Sequence, residues 1–205
     1  MYGKFIKRAL DILIALIALP FVALVILIFA PIIWLSDRGP VFYNAPRMGR
    51  NGRVFKMFKL RSMKVNAPAI MNPDGSAYTG DDDPRVTAVG RFMRKTSVDE
   101  LPQILNVLIG DMSFVGPRPN LATGVYAEYD EVRKKRLTVR PGITGYSQAY
   151  FRNSIPQEEK FLNDCYYVDH LSFAFDVKIL VQTVMSVLRA RNINEAPADK
   201  KDVAQ

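Results

Sequence analysis

The stretch KTSVDELPQILNVLIGDMSFVGPRP, residues 95–119, contains a short apolar segment that ends in a Gly-Asp turn. Ser97 and Glu100 have the spacing of a capping box, in which each side chain bonds to the backbone of the other residue. Glycine is the usual residue just beyond a helix end, so we predict a helix that starts at Ser97 and closes on Gly110. One acid is enough to cap a helix. Helix capping therefore does not explain why the adjacent Asp99 is also an acid.

Two arginines held on rigid turns lie downstream of these acids. Arg118 lies in the turn GPRP, residues 116–119, and Arg140 opens the turn RPGITG, residues 140–145. The planar guanidinium group suits bidentate contact with phosphate. Two acids accompanied by such arginines suit phosphoryl transfer, with one carboxylate for covalent or metal chemistry and the arginines for phosphate oxygens.

An apolar run near the N-terminus predicts a membrane anchor. Ile12 to Leu35 contains no charged residue and is long enough to cross a bilayer, which takes about 20 apolar residues. Pro20 and Pro31 interrupt the run, and a proline inside a helix produces a kink. Both flanks are basic, so the positive-inside rule draws both ends to the cytoplasmic side. We therefore predict a re-entrant helix-break-helix anchor over residues 1–37 rather than a span.

The remaining segments predict an α+β, mainly helical domain over residues 38–192 and a disordered tail over 193–205. Short strands from Pro40 to Tyr43 and from Val54 to Leu60 flank a turn at 49–52, which favours a small β-hairpin. The basic residues of its second strand are either a solvated edge or a strip that faces phosphate. The segment Asp81-Asp82-Asp83 predicts a solvated acidic turn rather than a metal site.

Three helices are expected to complete this domain. The first starts near Arg85 and turns Val89, Phe92 and Met93 inward. The second is a charged, exposed helix over 126–137. The third covers 173–191 and has an apolar stripe, which is either core or a surface that lies partly on lipid.

Composition limits the chemistry that is available. The 205 residues carry a formal net charge of +8, which favours an anionic partner such as a nucleic acid, a phosphorylated metabolite or acidic lipid. The single cysteine, Cys165, excludes an internal disulfide, and the single histidine, His170, excludes a His/Cys zinc cluster.

The chain resembles the small monotopic phosphoglycosyl transferases of the bacterial sugar transferase family. The motifs that carry the resemblance are the basic-flanked apolar hairpin, GPVFYNAPRMGRNGRVFKMFKLRSM, DELPQILNVLIGDMSFVGPRP, VRPGITGYSQ and DCYYVDHLSFAFDVKIL. They extend from about Phe5 to Leu188. The resemblance implies a re-entrant helix joined to a compact, mostly helical domain with amphipathic helices on the membrane surface. It also implies transfer of a phosphosugar from a UDP-sugar to a polyprenol phosphate, undecaprenyl phosphate being the expected carrier, with release of UMP.

The resemblance further implies a role for particular residues. Asp99 matches the nucleophile that forms a covalent aspartyl-phosphosugar, and Glu100 matches its metal-organising neighbour. Mg²⁺ is the expected ion. The residues that match substrate-binding positions are Lys59, Arg61, Arg118, Arg140, Gln148, Asp164 and Tyr166. The expected location is the cytoplasmic face of a bacterial inner membrane, with a homo-oligomer or downstream glycosyltransferases as further partners.

Three departures from the family pattern bear on these expectations. The usual Ser-Pro helix break is missing near Leu24, and Pro20 lies one turn earlier. After Gln148 the usual Val-Asn-Gly-Arg reads Ala149-Tyr-Phe-Arg152, and a common tryptophan is Gln157, so the sugar is not implied by the resemblance. Two other classes stay open: a membrane-tethered nucleic-acid-binding protein, for which no readout motif is present, and a noncatalytic scaffold for glycosyltransferases.

Overall fold

The structure, a computed structural model, describes residues 2–70, 78, 80, 83–151 and 154–188. Seven α-helices and four short strands are found within these ranges. They are α1 (Lys7–Asp37), β1 (Ala45–Met48), β2 (Val54–Met57), α2 (Ala88–Thr96), α3 (Gln103–Ile109), β3 (Ser113–Val115), α4 (Glu131–Arg136), β4 (Gly142–Thr144), α5 (Tyr146–Tyr150), α6 (Gln157–Asp169) and α7 (Phe173–Leu188). The predicted tail at 193–205, and Asp81 and Asp82 of the acidic turn, lie outside the described residues.

The expected β-hairpin is present but shorter than predicted. β1 and β2 pair antiparallel, with Ala45 opposite Met57 and Met48 opposite Val54. The predicted first strand from Pro40 is wrong, because only the isolated bridge between Phe42 and Leu60 extends the pairing in that direction. β3 and β4 form a separate parallel pair. Helices therefore dominate the described chain, as expected.

The apolar N-terminal segment forms one helix, α1, rather than the predicted pair of helices separated by a break. Both Pro20 and Pro31 lie inside it. By length and composition it could cross a membrane, with a mean hydropathy of 3.3 over its most apolar window. Its 31 residues give a contour length of about 46 Å.

One side of α1 packs along the rest of the molecule. Ala15 and Val22 belong to a core with Phe55 and Met57 of β2 and with Ile104 and Val107 of α3. Further along, Ile33 packs with Leu60 and Met93. Polar contacts fix the two ends of the helix. Arg8 donates from Nη2 to the carbonyl oxygen of Leu108 (3.0 Å), and Asp37 pairs with Arg61.

The predicted capping box at the acidic motif is wrong. Ser97 ends α2 in the left-handed region (φ 58°) and its side chain makes no cap hydrogen bond. Val98–Glu100 forms a separate 3₁₀ turn, and α3 starts only after Pro102. The predicted end of the helix is confirmed, since Gly110 caps α3 with φ 95°. The acids thus lie on a tight turn between two helices.

Two of the other predicted helices have different bounds. The helix expected near Arg85 starts at Ala88, because the Thr87 side chain caps it by accepting from the backbone N–H of Gly90. Met93 is buried as predicted, but Phe92 is 55% exposed and stacks on Phe29 of α1.

The charged helix predicted over 126–137 is divided in two. A 3₁₀ turn, Tyr126–Glu128, precedes α4, and Asp130 caps the N-terminus of α4. Arg136 in α4 is buried, so this helix is not the fully exposed one predicted.

Asp83 is buried and not part of a solvated turn. It forms an ion pair of 2.7 Å with Arg85, which is also buried. Only this aspartate of the acidic segment lies within the described residues, and it serves the packing of the loop that precedes α2.

The apolar stripe of α7 faces outward. Phe173, Val177, Val181 and Val184 are between 41% and 58% exposed, whereas Ile179 is fully buried with Tyr167 of α6. The expectation of a core stripe is therefore wrong for these positions, which form an exposed apolar surface. Contact of this surface with lipid stays a prediction.

Candidate active site

Lys59 joins the two acids of the 3₁₀ turn. Its Nζ lies 2.8 Å from Asp99 Oδ2 and 3.4 Å from Glu100 Oε1. The Asp99 residue is 1% exposed, and the Glu100 side chain is 18% exposed. The backbone N–H of Leu60 also donates to the carbonyl oxygen of Asp99 (2.9 Å). The segment after β2 is thereby fixed to the acidic turn at two points.

Asn106 of α3 determines how β2 meets this turn. The residue is fully buried. Its Oδ1 accepts from the N–H of Phe58, and its Nδ2 donates to the carbonyl oxygen of Lys56, both at 2.8 Å. The strand thus obtains from a side chain the hydrogen bonds that no neighbouring strand supplies there. Lys59 follows directly after this attachment.

Arg118 is a second cation that contacts Glu100. Its Nη2 lies 3.0 Å from Glu100 Oε1, and its side chain is 55% exposed. Burial raises the pKa of Glu100, but the charges of Arg118 and Lys59 and their hydrogen bonds outweigh it, so the pKa falls from 4.5 to about 2. The charge of Glu100 in turn raises the pKa of Arg118. Glu100 is therefore ionised throughout the neutral range.

Asp164 contacts the segment of Arg118 indirectly, through Arg136. It pairs with the buried Arg136, with 2.8 Å between Oδ2 and Nη2. The same Nη2 donates to the carbonyl oxygen of Arg118 (2.7 Å). Asp164 thus reaches the site through Arg136 and fixes the turn that carries Arg118.

Arg47 of β1 is a site residue that the sequence reasoning missed. It lines a cavity of about 30 Å³ together with Met57, Gln103, Arg118, Pro119 and Gly142. Its Nε is buried and has no hydrogen-bond partner in the described structure. Burial and the charge of Arg118 both lower the pKa of Arg47. A buried unpaired donor is costly, so this cation is positioned for an anion.

The only signal for Arg47 in the sequence was its place in the segment NAPRMGR, residues 44–50, just before the hairpin turn. The same segment also contains Arg50, and the next residues add Arg53. Nothing in the spacing distinguishes the arginine that faces the acids from those that do not.

Arg140 lies in a different and larger cavity. This cavity has a volume of about 340 Å³ and is lined by Arg50, Arg53, Asp111 and Arg140, among others. It shares no lining residue with the small cavity beside Arg118. The structure therefore does not place Arg140 against the two acids.

Three other predicted substrate residues have partners within the protein. Arg61 is buried and forms hydrogen bonds of 2.6 Å to both carboxylate oxygens of Asp37. Gln148 donates to the carbonyl oxygen of Ile143 (3.1 Å). Tyr166 stacks on His170, with 4.0 Å between the ring centroids, and is 46% exposed. The contact of Arg61 reaches α1, that of Gln148 reaches β4, and that of Tyr166 stays within the end of α6. Substrate binding by these residues stays a prediction.

The donor set fits a magnesium ion only when substrate oxygens complete it. Among the described residues, no group of three or more Asp, Glu, His or Cys side chains is close enough to hold a metal. Mg²⁺ is commonly bound by one or two carboxylates together with substrate phosphates and water. Glu100 uses Oε1 for both Lys59 and Arg118, so Oε2 is the oxygen that suits a metal–diphosphate complex.

The sequence matches the family model described as bacterial sugar transferase over residues 2–190. It is 42% identical over 190 residues to galactosyl transferase CpsE of Streptococcus agalactiae, covering 89% of this chain and 42% of that protein. It is 40% identical over 190 residues to the uncharacterized sugar transferase EpsL of Bacillus subtilis, covering 93% of this chain and 91% of that protein.

A third relative is named for its carrier and its sugar. It is the UDP-N-acetylgalactosamine-undecaprenyl-phosphate N-acetylgalactosaminephosphotransferase of Aeromonas hydrophila, 40% identical over 189 residues, with 90% of this chain and 44% of that protein covered. This chain thus spans less than half the length of two of these relatives and nearly the whole of the other. On the extent of these matches, the chain belongs to the bacterial sugar transferase family of enzymes.

Proposed function

We propose that the protein transfers a phosphosugar from a UDP-sugar to a polyprenol phosphate, undecaprenyl phosphate in a bacterium, and releases UMP. The observation that carries this proposal is the charge arrangement around the acidic turn. Lys59 and Arg118 pair with the carboxylates of Asp99 and Glu100. Arg47 lines a cavity with Arg118 and lacks a partner for its Nε. The net positive charge of this cluster and the unpaired Arg47 Nε favour an anionic ligand such as the diphosphate of a nucleotide sugar.

The first half of the reaction uses Asp99 as the nucleophile. A carboxylate oxygen attacks the sugar-bearing phosphorus, and the bond from that phosphorus to the bridging oxygen breaks. UMP leaves with the bonding electron pair, and an aspartyl-phosphosugar remains. Arg118 and Arg47 stabilise the charge that develops on the diphosphate oxygens. Lys59 lies 2.8 Å from Asp99 and positions the carboxylate before attack.

The second half returns the enzyme to its starting state. A phosphate oxygen of the polyprenol phosphate attacks the same phosphorus, and the bond to Asp99 breaks. The products are a polyprenyl diphosphate sugar and a free Asp99 carboxylate. Because the donor's leaving group departs before the acceptor reacts, the kinetics should be ping-pong.

A magnesium ion held by Glu100 and the diphosphate would neutralise charge during the transfer. Without the diphosphate, the neighbouring cations Lys59 and Arg118 oppose metal binding. We therefore expect Mn²⁺, used as a spin probe in place of Mg²⁺, to bind tightly only when UDP-sugar is present. Glu100→Gln should abolish that binding in magnetic resonance titrations. Equal binding without the nucleotide, or full activity in excess EDTA, would remove the metal from the scheme.

We also place the protein on the cytoplasmic face of the inner membrane, with α1 embedded but not crossing. Arg8 at one end of α1 and Asp37 at the other contact the same folded unit, and Ala15 between them is fully buried. A helix that crosses the bilayer could not place both ends and its middle on one domain. The opposite side of α1 exposes large apolar residues, including Ile17 and Leu27, each 72% exposed.

The reaction is tested by screening UDP-sugars for UMP release with and without undecaprenyl phosphate. Purified enzyme should release UMP in a stoichiometric burst without acceptor and turn over when acceptor is added. If no nucleotide sugar gives either signal, the proposal is wrong, and a noncatalytic scaffold for glycosyltransferases becomes the better reading.

A further inference from the structure

The 340 Å³ cavity next to the hairpin turn is strongly basic. Arg50 and Arg53 lie in the turn between β1 and β2, and Arg140 lies two residues before β4. All three side chains line the cavity. Asp111 is the acid among the lining residues. The lining thus has a charge excess of +2 before any ligand enters.

No carboxylate forms an ion pair with any of these three arginines among the described residues. No ion pair or side-chain hydrogen bond holds Arg50 or Arg53 among the described residues, and both side chains are exposed. Arg140 donates from Nε to the carbonyl oxygen of Gly110 (2.9 Å), which fixes its guanidinium group and leaves its two terminal nitrogens for a ligand. Burial and the charges of Arg50 and Arg8 lower the pKa of Arg140. Three guanidinium groups around one space form a site for an anion, since arginine contacts phosphate in bidentate fashion.

One border of this cavity is the apolar surface. Gly110 lines the cavity, and the preceding Ile109 is 63% exposed. Arg8, from the first turn of α1, donates to the carbonyl oxygen of Leu108 at the same end of α3. The first turn of α1 therefore lies beside the cavity.

The large cavity is also close to the small cavity beside Arg118. Phe55 lines the large cavity, and Met57, two residues along β2, lines the small one. Likewise, Arg140 lines the large cavity, and Gly142, two residues further along the chain, lines the small one. Two residues along a strand span about 7 Å. The large cavity thus adjoins both the exposed Ile109 and the small cavity that Arg47 and Arg118 line.

We propose that Arg50, Arg53 and Arg140 bind the phosphate group of the lipid acceptor. The assignment rests on the proposed function. A phosphomonoester carries up to two negative charges, which match the excess of +2 in the lining, whereas a phospholipid diester carries one. The position favours a lipid-borne phosphate over the water-soluble donor, because the lipid chain can follow the exposed side chains of Ile109 and α1. The donor's diphosphate is left to Arg47 and Arg118.

The test compares the KM values for acceptor and donor in Arg50→Gln/Arg53→Gln. Both side chains are exposed, so the variant should fold, and thermal unfolding verifies this. The KM for undecaprenyl phosphate should rise at least tenfold, while the KM for the UDP-sugar should change by less than twofold. The matched control is Lys56→Gln, which removes a charge from the exposed face of β2, opposite to Phe55. It should alter neither constant.

Competition identifies the source of the phosphate. A short-chain polyprenol phosphate should inhibit the wild type competitively with the acceptor and should lose affinity in the double variant. If inorganic phosphate competes as well as the lipid, the cavity is a general anion site and the assignment is overturned. If the variant instead loses affinity for phosphatidylglycerol vesicles with an unchanged acceptor KM, the cavity holds bulk anionic lipid and the assignment is equally wrong.

The outcome separates this inference from the proposed function. A wild type that releases no UMP from any UDP-sugar contradicts the proposed function. An active wild type, together with a double variant whose acceptor KM is unchanged, contradicts only the acceptor site.

Discussion

Asp99 and Glu100 are adjacent on one 3₁₀ turn, yet their surroundings suit different tasks. Asp99 is almost fully buried against Lys59, whereas Glu100 lies between Lys59 and the exposed Arg118. A buried carboxylate with one cation beside it can be presented to a single phosphorus atom. A partly exposed carboxylate among cations is better suited to organising charge on a diphosphate and its metal. On this difference rests our proposal that Asp99 is the nucleophile and Glu100 the metal-organising residue.

At the same scale, Arg47→Gln should weaken binding of the UDP-sugar without unfolding the protein. The buried Nε has no partner to lose, and removal of the charge relieves repulsion with Arg118. A charge-assisted hydrogen bond contributes roughly 1.5–3 kcal/mol, so we expect kcat/KM for the donor to fall about 10- to 100-fold. Steady-state kinetics and thermal unfolding measure the two effects. An unchanged kcat/KM would mean that Arg47 does not contact the donor.

At the scale of elements, the site depends on how β2, α3 and the acidic turn are fixed to one another. Asn106 binds the backbone of β2 and of the residue that follows it, and the Leu60 N–H bonds to the Asp99 carbonyl oxygen. These contacts place Lys59 over the acids. Arg136 does the same for the turn that carries Arg118, through its bond to the Arg118 carbonyl oxygen.

Asn106→Leu should lower both stability and activity. The substitution keeps the branched shape of the side chain but leaves the N–H of Phe58 and the carbonyl oxygen of Lys56 without their partner. Each unsatisfied buried group costs about 1–3 kcal/mol, so for the two groups we expect a loss of roughly 2–6 kcal/mol in the free energy of unfolding. Chemical denaturation measures it. A loss below about 0.5 kcal/mol would show that the hydrogen bonds of Asn106 do not hold β2 in place.

Local signals predicted some of these elements and could not predict others. Gly110 ended α3 as expected, because a residue in the left-handed region favours glycine. Ser97 misled the prediction, since its spacing to Glu100 fits a capping box but its backbone is used to end the preceding helix. The contacts of Arg47, Asn106 and Arg136 are made between segments far apart in sequence, so no local pattern contained them.

At the scale of the whole molecule, two helices expose apolar side chains on a protein with a net charge of +8. The outer side of α1 and the stripe of α7 are linked near their N-terminal ends. Lys7 of α1 and Tyr167 of α6 both reach Asp176 of α7, and the Tyr167 hydroxyl lies 2.7 Å from Oδ1. This buried network fixes the two apolar helices relative to each other. An extensive exposed apolar surface of this kind marks contact with a membrane.

The topology predicted from this arrangement is that both ends of α1 lie on the cytoplasmic side. A cysteine at Gly3 would be a poor labelling probe, because its Cβ would clash with Leu171 Cδ2. A protease-cleavable tag before Met1 and the variant Ser36→Cys are better probes, with the wild type, whose single Cys165 is buried, as the labelling control. Both should react only in inverted membrane vesicles. Cleavage of the tag from the periplasmic side would establish a span.

The most direct test of the account is to find the phosphosugar on Asp99. After incubation with the active UDP-sugar and no acceptor, rapid quenching and mass spectrometry should show one phosphosugar on the peptide that contains Asp99. Addition of polyprenol phosphate should remove it and yield the lipid-linked product. Asp99→Asn keeps the size of the side chain but weakens the nucleophile, so it should show neither the adduct nor the burst of UMP. A burst of wild-type size in Asp99→Asn would contradict the account.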